Sequence, residues 1–321
     1  MENDLYNINL SYEITTKMNN FCVFKSIEDI SYLVYYNHDI ISYNLNDMKI
    51  QNKIIINSFY YMRYFFDKAN KRDLMLISSY PSILIFNFNT LECFFSMALK
   101  GRLLYGCPFF DNNNNIYLYA QIYLYDRYED EIIDLKRKKT KKFSKEIILF
   151  SDSYYDDFKD ESFIIFGTEN NIKSYICCSN NLKIYHEYTD GKSDRHVSAI
   201  IKKEKEITKL FDASYDGYIR IWNFHTGELL SKILIHKNFR VFDFDLLDEN
   251  YIICGCSKNT IELFNIETKQ FIQKLIGYFM DPFYLKIISI PNGTKYFIMK
   301  CTNIGIGSKL QIFTISKKKN K

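Results

Sequence analysis

The chain has 321 residues, of which 47% are hydrophobic, and Tyr and Phe each occur 27 times. The formal net charge is +4, and nearly all of the positive charge is lysine, because only eight residues are arginine. This composition indicates a folded protein and excludes a disordered one. Lys, Asn, Ile, Tyr and Phe are abundant together, as an A- and T-rich genome produces, so lysine-rich loops are weak support for nucleic-acid binding.

The beginning of the chain, MENDLYNINL, has neither the basic region nor the apolar core of a signal peptide. No apolar run approaches the roughly 18 residues that a membrane span needs. The eight cysteines are spread along the chain, without the density of a disulfide scaffold. We therefore expect a protein of a reducing compartment, the cytosol or the nucleus.

A recurring pattern divides the chain into seven segments, each ending a hydrophobic strand with an aromatic residue and a turn. The clearest copy runs from Asp216 to Gly227, with Trp222 as its aromatic anchor. Successive anchors are 39 to 50 residues apart. Repeats of this length that are made of short strands predict a β-propeller with one blade per repeat. The anchors are Tyr43, Phe86, Tyr125, Tyr175, Trp222, Phe264 and Phe313.

Turn residues divide the repeats into four short strands each. The second, fifth and sixth repeats show this most clearly. The predicted strands are 62–68, 73–79, 83–88 and 92–98; then 197–203, 207–214, 218–224 and 228–234; and then 240–247, 251–257, 260–266 and 270–276. Inner strands such as 251–256 are nearly continuous apolar runs, as strands covered on both faces should be.

The seventh repeat offers three strands, at 284–290, 295–302 and 309–315. Its missing strand has a candidate at the other end of the chain, because Ile8, Leu10, Tyr12 and Ile14 alternate with polar residues. The sequence therefore predicts an all-β fold, a seven-bladed β-propeller of four-stranded antiparallel blades whose ring is closed by the N-terminal strand. We expect a single propeller domain over 1–316 and a basic tail over 317–321.

Two charged stretches do not read as blade strands. Residues 136–145 (KRKKTKKFSK) are basic and follow the third blade, and residues 151–161 (SDSYYDDFKDE) are acidic and precede the second strand of the fourth. We interpret both as solvated loops, which could also neutralise one another on one flank.

The fifth repeat resembles the WD-repeat family, most strongly over 196–277. Ser214, Asp216 and Trp222 stand at that family's spacing, and His196 precedes the first strand of the repeat. The resemblance implies a buried hydrogen-bond chain from these residues to the Trp222 indole nitrogen, with Asp216 in a tight turn. The other repeats lack this set. Their residues six positions before the anchor are Asn37, Tyr80, Tyr119, Glu169, Lys258 and Gly307.

No catalytic or cofactor motif is visible. The five histidines have no recognisable Ser or Cys partner. Cys254-x-Cys256 and Cys177-Cys178 are the only close cysteine pairs, and neither has the CxxC-like spacing of a zinc site. Cys254 and Cys256 are expected on one face of an inner strand, where cysteine behaves as a small apolar residue. Gly305-Ile306-Gly307 lacks the third glycine and the helix of a dinucleotide site. We therefore expect no enzyme activity, metal or cofactor, and a propeller hydrolase or redox enzyme is disfavoured.

The sequence favours a non-enzymatic scaffold or adaptor subunit, and the WD-repeat resemblance implies that proteins or peptides bind on the narrow face of the propeller. Tyr, Phe and Arg are the residue types that make binding hot spots. The predicted partner-binding residues are Tyr36, Arg63, Arg102, Tyr215, Phe239, Arg240 and Phe279, beside the structural set His196, Ser214, Asp216 and Trp222. The alternative is an adaptor that contacts RNA or an anionic membrane through the basic stretch 136–142.

Overall fold

The computed structural model contains 28 β-strands, and the residues it describes form no helix. It describes residues 6–16, 21–56, 58–143, 148–178, 181–192, 194–237, 240–257, 260–276, 282–291, 293–303 and 307–317. The strands are β1 (Tyr6–Thr16), β2 (Phe21–Lys25), β3 (Ser31–Asn37), β4 (Asp39–Asn44), β5 (Lys49–Ile55), β6 (Tyr61–Asp67), β7 (Arg72–Ser79), β8 (Ser82–Asn87), β9 (Cys93–Ala98), β10 (Arg102–Phe110), β11 (Ile116–Tyr123), β12 (Tyr128–Asp134), β13 (Lys139–Lys142), β14 (Phe150–Asp156), β15 (Glu161–Gly167), β16 (Ile172–Cys178), β17 (Asn181–Tyr188), β18 (His196–Lys203), β19 (Thr208–Ser214), β20 (Tyr218–Asn223), β21 (Leu229–Leu234), β22 (Val241–Leu246), β23 (Tyr251–Cys256), β24 (Thr260–Asn265), β25 (Phe271–Ile276), β26 (Pro282–Ser289), β27 (Lys295–Asn303) and β28 (Gly307–Lys317).

The strands form seven four-stranded sheets, and six of these sheets consist of consecutive strands. The last sheet has the order β1-β28-β27-β26, so the N-terminal strand supplies its fourth member. In this antiparallel pair, Ile8 faces Ile315 and Leu10 faces Phe313. The chain is thus an all-β, seven-bladed β-propeller of four-stranded antiparallel blades, and the prediction that the N-terminal strand completes the last blade is confirmed.

The repeats share one turn between their third and fourth strands. The last residue of the third strand is Asn in four blades, and its side-chain oxygen accepts a hydrogen bond from a backbone N–H two or three residues later. These bonds are Asn44 to Asn46 (2.8 Å), Asn87 to Asn89 (3.0 Å), Asn223 to His225 (3.0 Å) and Asn265 to Thr268 (2.8 Å). Four positions after each Asn, at Met48, Leu91, Gly227 and Lys269, φ is positive. This Asx turn explains the pattern that follows each of these anchors.

In the third blade Asp134 takes the place of the Asn, because its carboxylate accepts the backbone N–H of Arg137 at 2.9 Å and Lys138 has a φ of 53°. The predicted anchor of this blade, Tyr125, is therefore wrong. Tyr125 lies in the turn between β11 and β12, and 73% of its surface is exposed. The segment IYLYDRYE resembles an anchor because it also ends a hydrophobic strand with an aromatic residue and a turn. That strand, however, is the second strand of the blade and not the third.

The interpretation of the two charged stretches as loops is also wrong in part, because each contains a strand. Lys139–Lys142 is β13, the outermost strand of the third sheet, and its side chains are all exposed. Phe150–Asp156 is β14, the first strand of the fourth sheet. Edge strands tolerate lysine because their outer side faces solvent. The wrong anchor in the third blade places the end of that blade too early, so the residues of β13 are assigned to a loop.

The residues fall into two compact units, an N-terminal unit (20–168 and 172–187) and a C-terminal unit (1–19, 169–171 and 188–321). In the N-terminal unit, the first strands of successive sheets, β2, β6, β10 and β14, lie side by side. Apolar side chains of the second and third sheets pack into one core, including Leu74 and Leu76 from β7 with Leu118 and Ile122 from β11.

The C-terminal unit is built in the same way from β18, β22 and β26. A buried carboxylate joins these three first strands. Asp243 in β22 accepts a hydrogen bond from the Ser198 hydroxyl of β18 at 2.6 Å and another from the Leu285 N–H of β26 at 2.9 Å. Phe211, Phe244 and Phe264 belong to the apolar core that lies beside it.

Candidate protein-interaction site

Four of the predicted partner-binding residues, Tyr36, Arg102, Tyr215 and Arg240, lie at the same end of their respective blades. Strand direction alternates in an antiparallel sheet, so the start of the first strand and the turn between the second and third strands lie at the same end, which we call the entry end. Tyr36 lies next to such a turn, near the end of β3. It is half-buried and stacks on Phe59, with ring centroids 4.6 Å apart. Its ring is therefore held in place and partly open to solvent.

Arg102, the first residue of β10, is exposed and lies over an aromatic ring. Its guanidinium carbon is 5.0 Å from the centroid of Tyr60, which directly precedes β6. Tyr80, in the turn between β7 and β8, and Tyr125 lie close by. A hydrogen bond with the Tyr125 phenol raises the pKa of Tyr80, while the charge of Arg102 acts to lower it. Tyr60, Tyr80, Arg102 and Tyr125 form what we call the Arg102 cluster.

The C-terminal unit carries a second pair of this kind. The Arg240 guanidinium carbon lies 4.9 Å from the centroid of the Tyr215 ring. Tyr215 follows β19 and also packs edge-on against Phe242, at 6.0 Å. The backbone of Arg240 is fixed by Ser257, whose hydroxyl accepts the Arg240 N–H at 3.1 Å. Arg240 itself is exposed, so this pair presents a cation and an aromatic ring at the entry end.

Arg63, another predicted partner-binding residue, has a structural contact instead. Arg63 lies inside β6, where its guanidinium donates to the Ser151 carbonyl at 2.8 Å and pairs with Asp152. Its side chain is only 23% exposed, so it joins β6 to β14 instead of facing a partner. Phe239 and Phe279 lie outside the described residues.

Carboxylate partners separate the arginines into two groups. Six of the eight arginines have an Asp or Glu within 4.0 Å, namely Arg63, Arg72, Arg127, Arg137, Arg195 and Arg220. Within the described part of the chain, Arg102 and Arg240 have no carboxylate at that distance, and a tyrosine ring takes its place. Their positive charges are therefore uncompensated at the entry ends of their blades.

A buried ionic network holds the turn on which Tyr215 sits. Arg220, which is completely buried, donates to Asp190 at 3.0 Å, to Ser214 at 2.7 Å and to Asp216 at 2.5 Å. Lys232 donates to Asp190 as well, at 2.6 Å. Burial by itself would raise the pKa of Asp216, but hydrogen bonds from Arg220 and Ser214 hold it below its usual value. The network ties strands and loop together and fixes the turn.

The implied hydrogen-bond chain to Trp222 is not formed as predicted. Ser214 does donate to Asp216, and Gly217, with φ of 84°, makes the tight turn. His196, however, pairs with Asp212 through Nδ1 at 2.8 Å. The buried indole nitrogen of Trp222 has no hydrogen-bond partner among the described residues. The Asp216 carboxylate instead accepts hydrogen bonds from Arg220, which lies in β20, the strand that follows this turn.

The basic stretch is less positive than its sequence indicates. Lys142 lies 3.5 Å from Glu129, and Arg137 lies 3.7 Å from Asp134, both on the neighbouring strand β12. Lys138 donates to the Ser96 carbonyl at 3.2 Å. Acidic residues of β12 therefore offset part of the positive charge of this stretch. Lys142 and Arg137 pair with these residues and not with the predicted partner, the acidic stretch 151–161.

No group of three or more His, Cys, Asp or Glu side chains suited to a metal occurs in the described ranges. Burial raises the pKa of the Cys256 thiol above its ordinary range and that of the Cys107 thiol to about 11. Such thiols are poor nucleophiles at neutral pH.

Sequence reasoning missed Tyr60, Tyr125 and Phe242 as site residues. Tyr60 and Phe242 flank the start of a first strand, at the same place in the repeat as Arg102 and Arg240. An alignment of the repeats at strand starts would have found them, whereas the anchor-based alignment could not.

The fold places this chain among the β-propeller proteins. No family model matches the sequence. A stretch of 69 residues is 39% identical to part of myosin heavy chain kinase D of Dictyostelium discoideum. It covers 20% of this chain and only 7% of that relative. The described residues contain no helix with the length and apolar character needed to cross a membrane.

Proposed function

We propose that this chain is a non-enzymatic scaffold or adaptor subunit of a multiprotein complex, and that it is a divergent WD-repeat protein of the cytosol or nucleus. The observation that carries the proposal is the pair of uncompensated arginines, Arg102 and Arg240, each lying over a tyrosine ring at an entry end. Arginine and tyrosine dominate binding hot spots because they combine apolar contact with directed hydrogen bonds.

The scaffold role follows from rigidity. The Arg220 network holds the turn that carries Tyr215, and the Ser257 hydroxyl holds the backbone of Arg240, so a partner does not have to order these residues on binding. The turn at Asp216 and Gly217 supports the WD-repeat assignment. The kinase activity in the name of the Dictyostelium protein is not transferred, because the shared stretch is 7% of that protein.

Affinity purification of the tagged chain tests the proposal. We expect partners to be lost from a Tyr215→Ala, Arg240→Ala variant or from a Tyr60→Ala, Arg102→Ala variant, since each hot-spot residue contributes about 2 kcal/mol. Both variants should keep the wild-type melting temperature. A control variant replaces the lysines of 136–142 with Gln and should keep its partners. Retention of every partner by both double variants would contradict the proposal.

The second candidate is an adaptor on RNA or an anionic membrane. It is favoured by one observation, the exposure of all four residues of Lys139–Lys142 beside exposed Lys136, Arg137 and Lys138. The nearby carboxylates Glu129 and Asp134 and the lack of interleaved aromatic residues argue against it. If the lysine-to-Gln control alone abolishes binding, and that binding falls steeply with salt, this candidate replaces the first.

A further inference from the structure

The Arg102 guanidinium is an exposed positive charge that a ligand can reach. No carboxylate of the described chain lies within 4.0 Å of it, whereas every other arginine of the N-terminal unit has one. A guanidinium that stacks on a ring keeps its N–H edges free, and these edges match the two oxygens of a carboxylate.

The aromatic side chains around it are also held in place. Tyr125 is 73% exposed and Tyr80 is 38% exposed. The Tyr123 hydroxyl donates to the Tyr125 carbonyl at 2.5 Å, which fixes the turn. Stiff, exposed tyrosines of this kind offer contact area at a small cost in conformational entropy.

We infer that the Arg102 cluster binds an acidic peptide segment of a partner protein, with an Asp or Glu carboxylate paired to Arg102 and the adjacent residue packed on Tyr80 and Tyr125. The inference rests on the proposed function and adds the chemistry of the partner to it.

The surrounding charges favour a single carboxylate over a polyanion. Arg127, the next arginine along the chain, is already paired with Glu129 at 3.1 Å and lies 3.8 Å from Asp126. The Asp126 side chain is 74% exposed in the turn that also carries Tyr125, so a nucleic acid or an anionic membrane would meet negative charge at this turn. One uncompensated positive charge fits one acidic side chain, and the repulsion disfavours a run of phosphates.

The test is selection of a display library of random short peptides against the full chain. We expect the selected peptides to share an Asp or Glu at one position. Their binding should weaken by at least about tenfold in Arg102→Gln, as expected for the loss of hydrogen bonds to a charged group. Arg102→Lys, which keeps the charge without the planar fork, should weaken binding less. The matched control is Arg127→Gln. It also removes one positive charge from the same blade, from the turn between β11 and β12, but Arg127 is already paired with Glu129. The affinity for the selected peptides should therefore stay within about twofold of the wild-type value.

Several outcomes would overturn the inference: selected peptides without a shared acidic position, no selected peptide, or equal losses in Arg102→Gln and Arg127→Gln. Replacing the acidic residue with phosphoserine provides a further arm, and a gain above about tenfold would assign the site to a phosphate instead. If the selected peptides lost affinity only in Arg240→Gln, the inference would be wrong, but the proposed scaffold function would not be contradicted. The scaffold function itself is decided separately, by co-purification.

Discussion

Nδ1 of His196 lies 2.8 Å from the carboxylate of Asp212, and both side chains are completely buried. His196 begins β18 and Asp212 lies within β19, so the pair joins the first two strands of the fifth blade. Asp216, which the WD-repeat resemblance places in the same chain of hydrogen bonds, bonds to Ser214 and Arg220 instead. The polar core of this blade therefore consists of two separate groups.

Double-mutant cycles on unfolding free energy should measure this separation. For His196→Ala with Asp212→Ala we expect a coupling of about 1–3 kcal/mol, because Nδ1 of His196 and the Asp212 carboxylate are in direct contact and both side chains are completely buried. For His196→Ala with Asp216→Ala the coupling should stay below about 0.5 kcal/mol. A larger coupling in the second cycle than in the first would restore the single network that the resemblance implies.

Removal of the Asp216 carboxylate should be costly. Asp216→Ala takes away two acceptors from the completely buried Arg220, which then keeps Asp190 at 3.0 Å. We expect a loss of about 2–4 kcal/mol in urea unfolding, since a buried charge loses part of its compensation. Asp126→Ala is the matched control, because Asp126 lies in the corresponding turn of the third blade with its side chain 74% exposed. Its cost should be below about 0.5 kcal/mol, and equal costs would contradict the role of the network.

Stability should depend on pH through Asp243. Burial raises its pKa to about 6, against the partial offset of Lys286, the Ser198 hydroxyl and the N–H groups of Leu285 and Phe244. The native state then binds this proton more tightly than the unfolded chain, in which Asp titrates near about 4. The contribution of Asp243 to stability is therefore greatest below the unfolded pKa and is lost as pH rises through about 6.

Asp243→Asn cannot titrate, so comparison with this variant isolates the effect from all other groups. Between about pH 7.5 and about pH 4.5, the wild type should gain roughly 2 kcal/mol relative to Asp243→Asn. Urea unfolding at several pH values measures the difference. If the difference in unfolding free energy did not change with pH, or if the wild type became less stable relative to Asp243→Asn on acidification, the pKa of Asp243 would not be raised as described.

Removal of residues 1–16 should destabilise the last blade. β1 pairs with β28 along its length, and Tyr6 is buried and accepts a hydrogen bond from Gln273 at 3.1 Å. The truncation exposes the β28 edge, so we expect aggregation or loss of cooperative melting. A shorter truncation that ends before Tyr6 leaves all of these pairs intact and is the control. Identical melting of the two truncated proteins would refute the structural role of β1.

Much of the fold could be predicted because its signals are local. Strand alternation and turn residues located the strands of the second, fifth and sixth blades to within one residue at nearly every boundary. The same reasoning found the missing strand of the seventh blade at Ile8–Ile14, which pairs with β28. It failed in the third blade, where Tyr125 imitated an anchor and the true third strand ends at Asp134.

The candidate site was only partly predictable. Arg102, Tyr215 and Arg240 were chosen by residue type and place in the repeat, and they do lie at entry ends. Arg63 was chosen in the same way, but its guanidinium pairs with Asp152, 89 positions further along the chain. Residue type alone did not distinguish these cases.

The sequence by itself determined the number of blades, the four-stranded plan and the completion of the last blade, since each depends on hydrophobic period and turn chemistry within a few dozen residues. The tertiary structure decided which charges are paired. Whether an arginine meets a carboxylate, as Arg220 does, or a tyrosine ring, as Arg102 and Arg240 do, depends on side chains that different strands and loops bring together. Those contacts leave no periodic mark on the chain, because they are made between segments whose separation in sequence carries no fixed spacing.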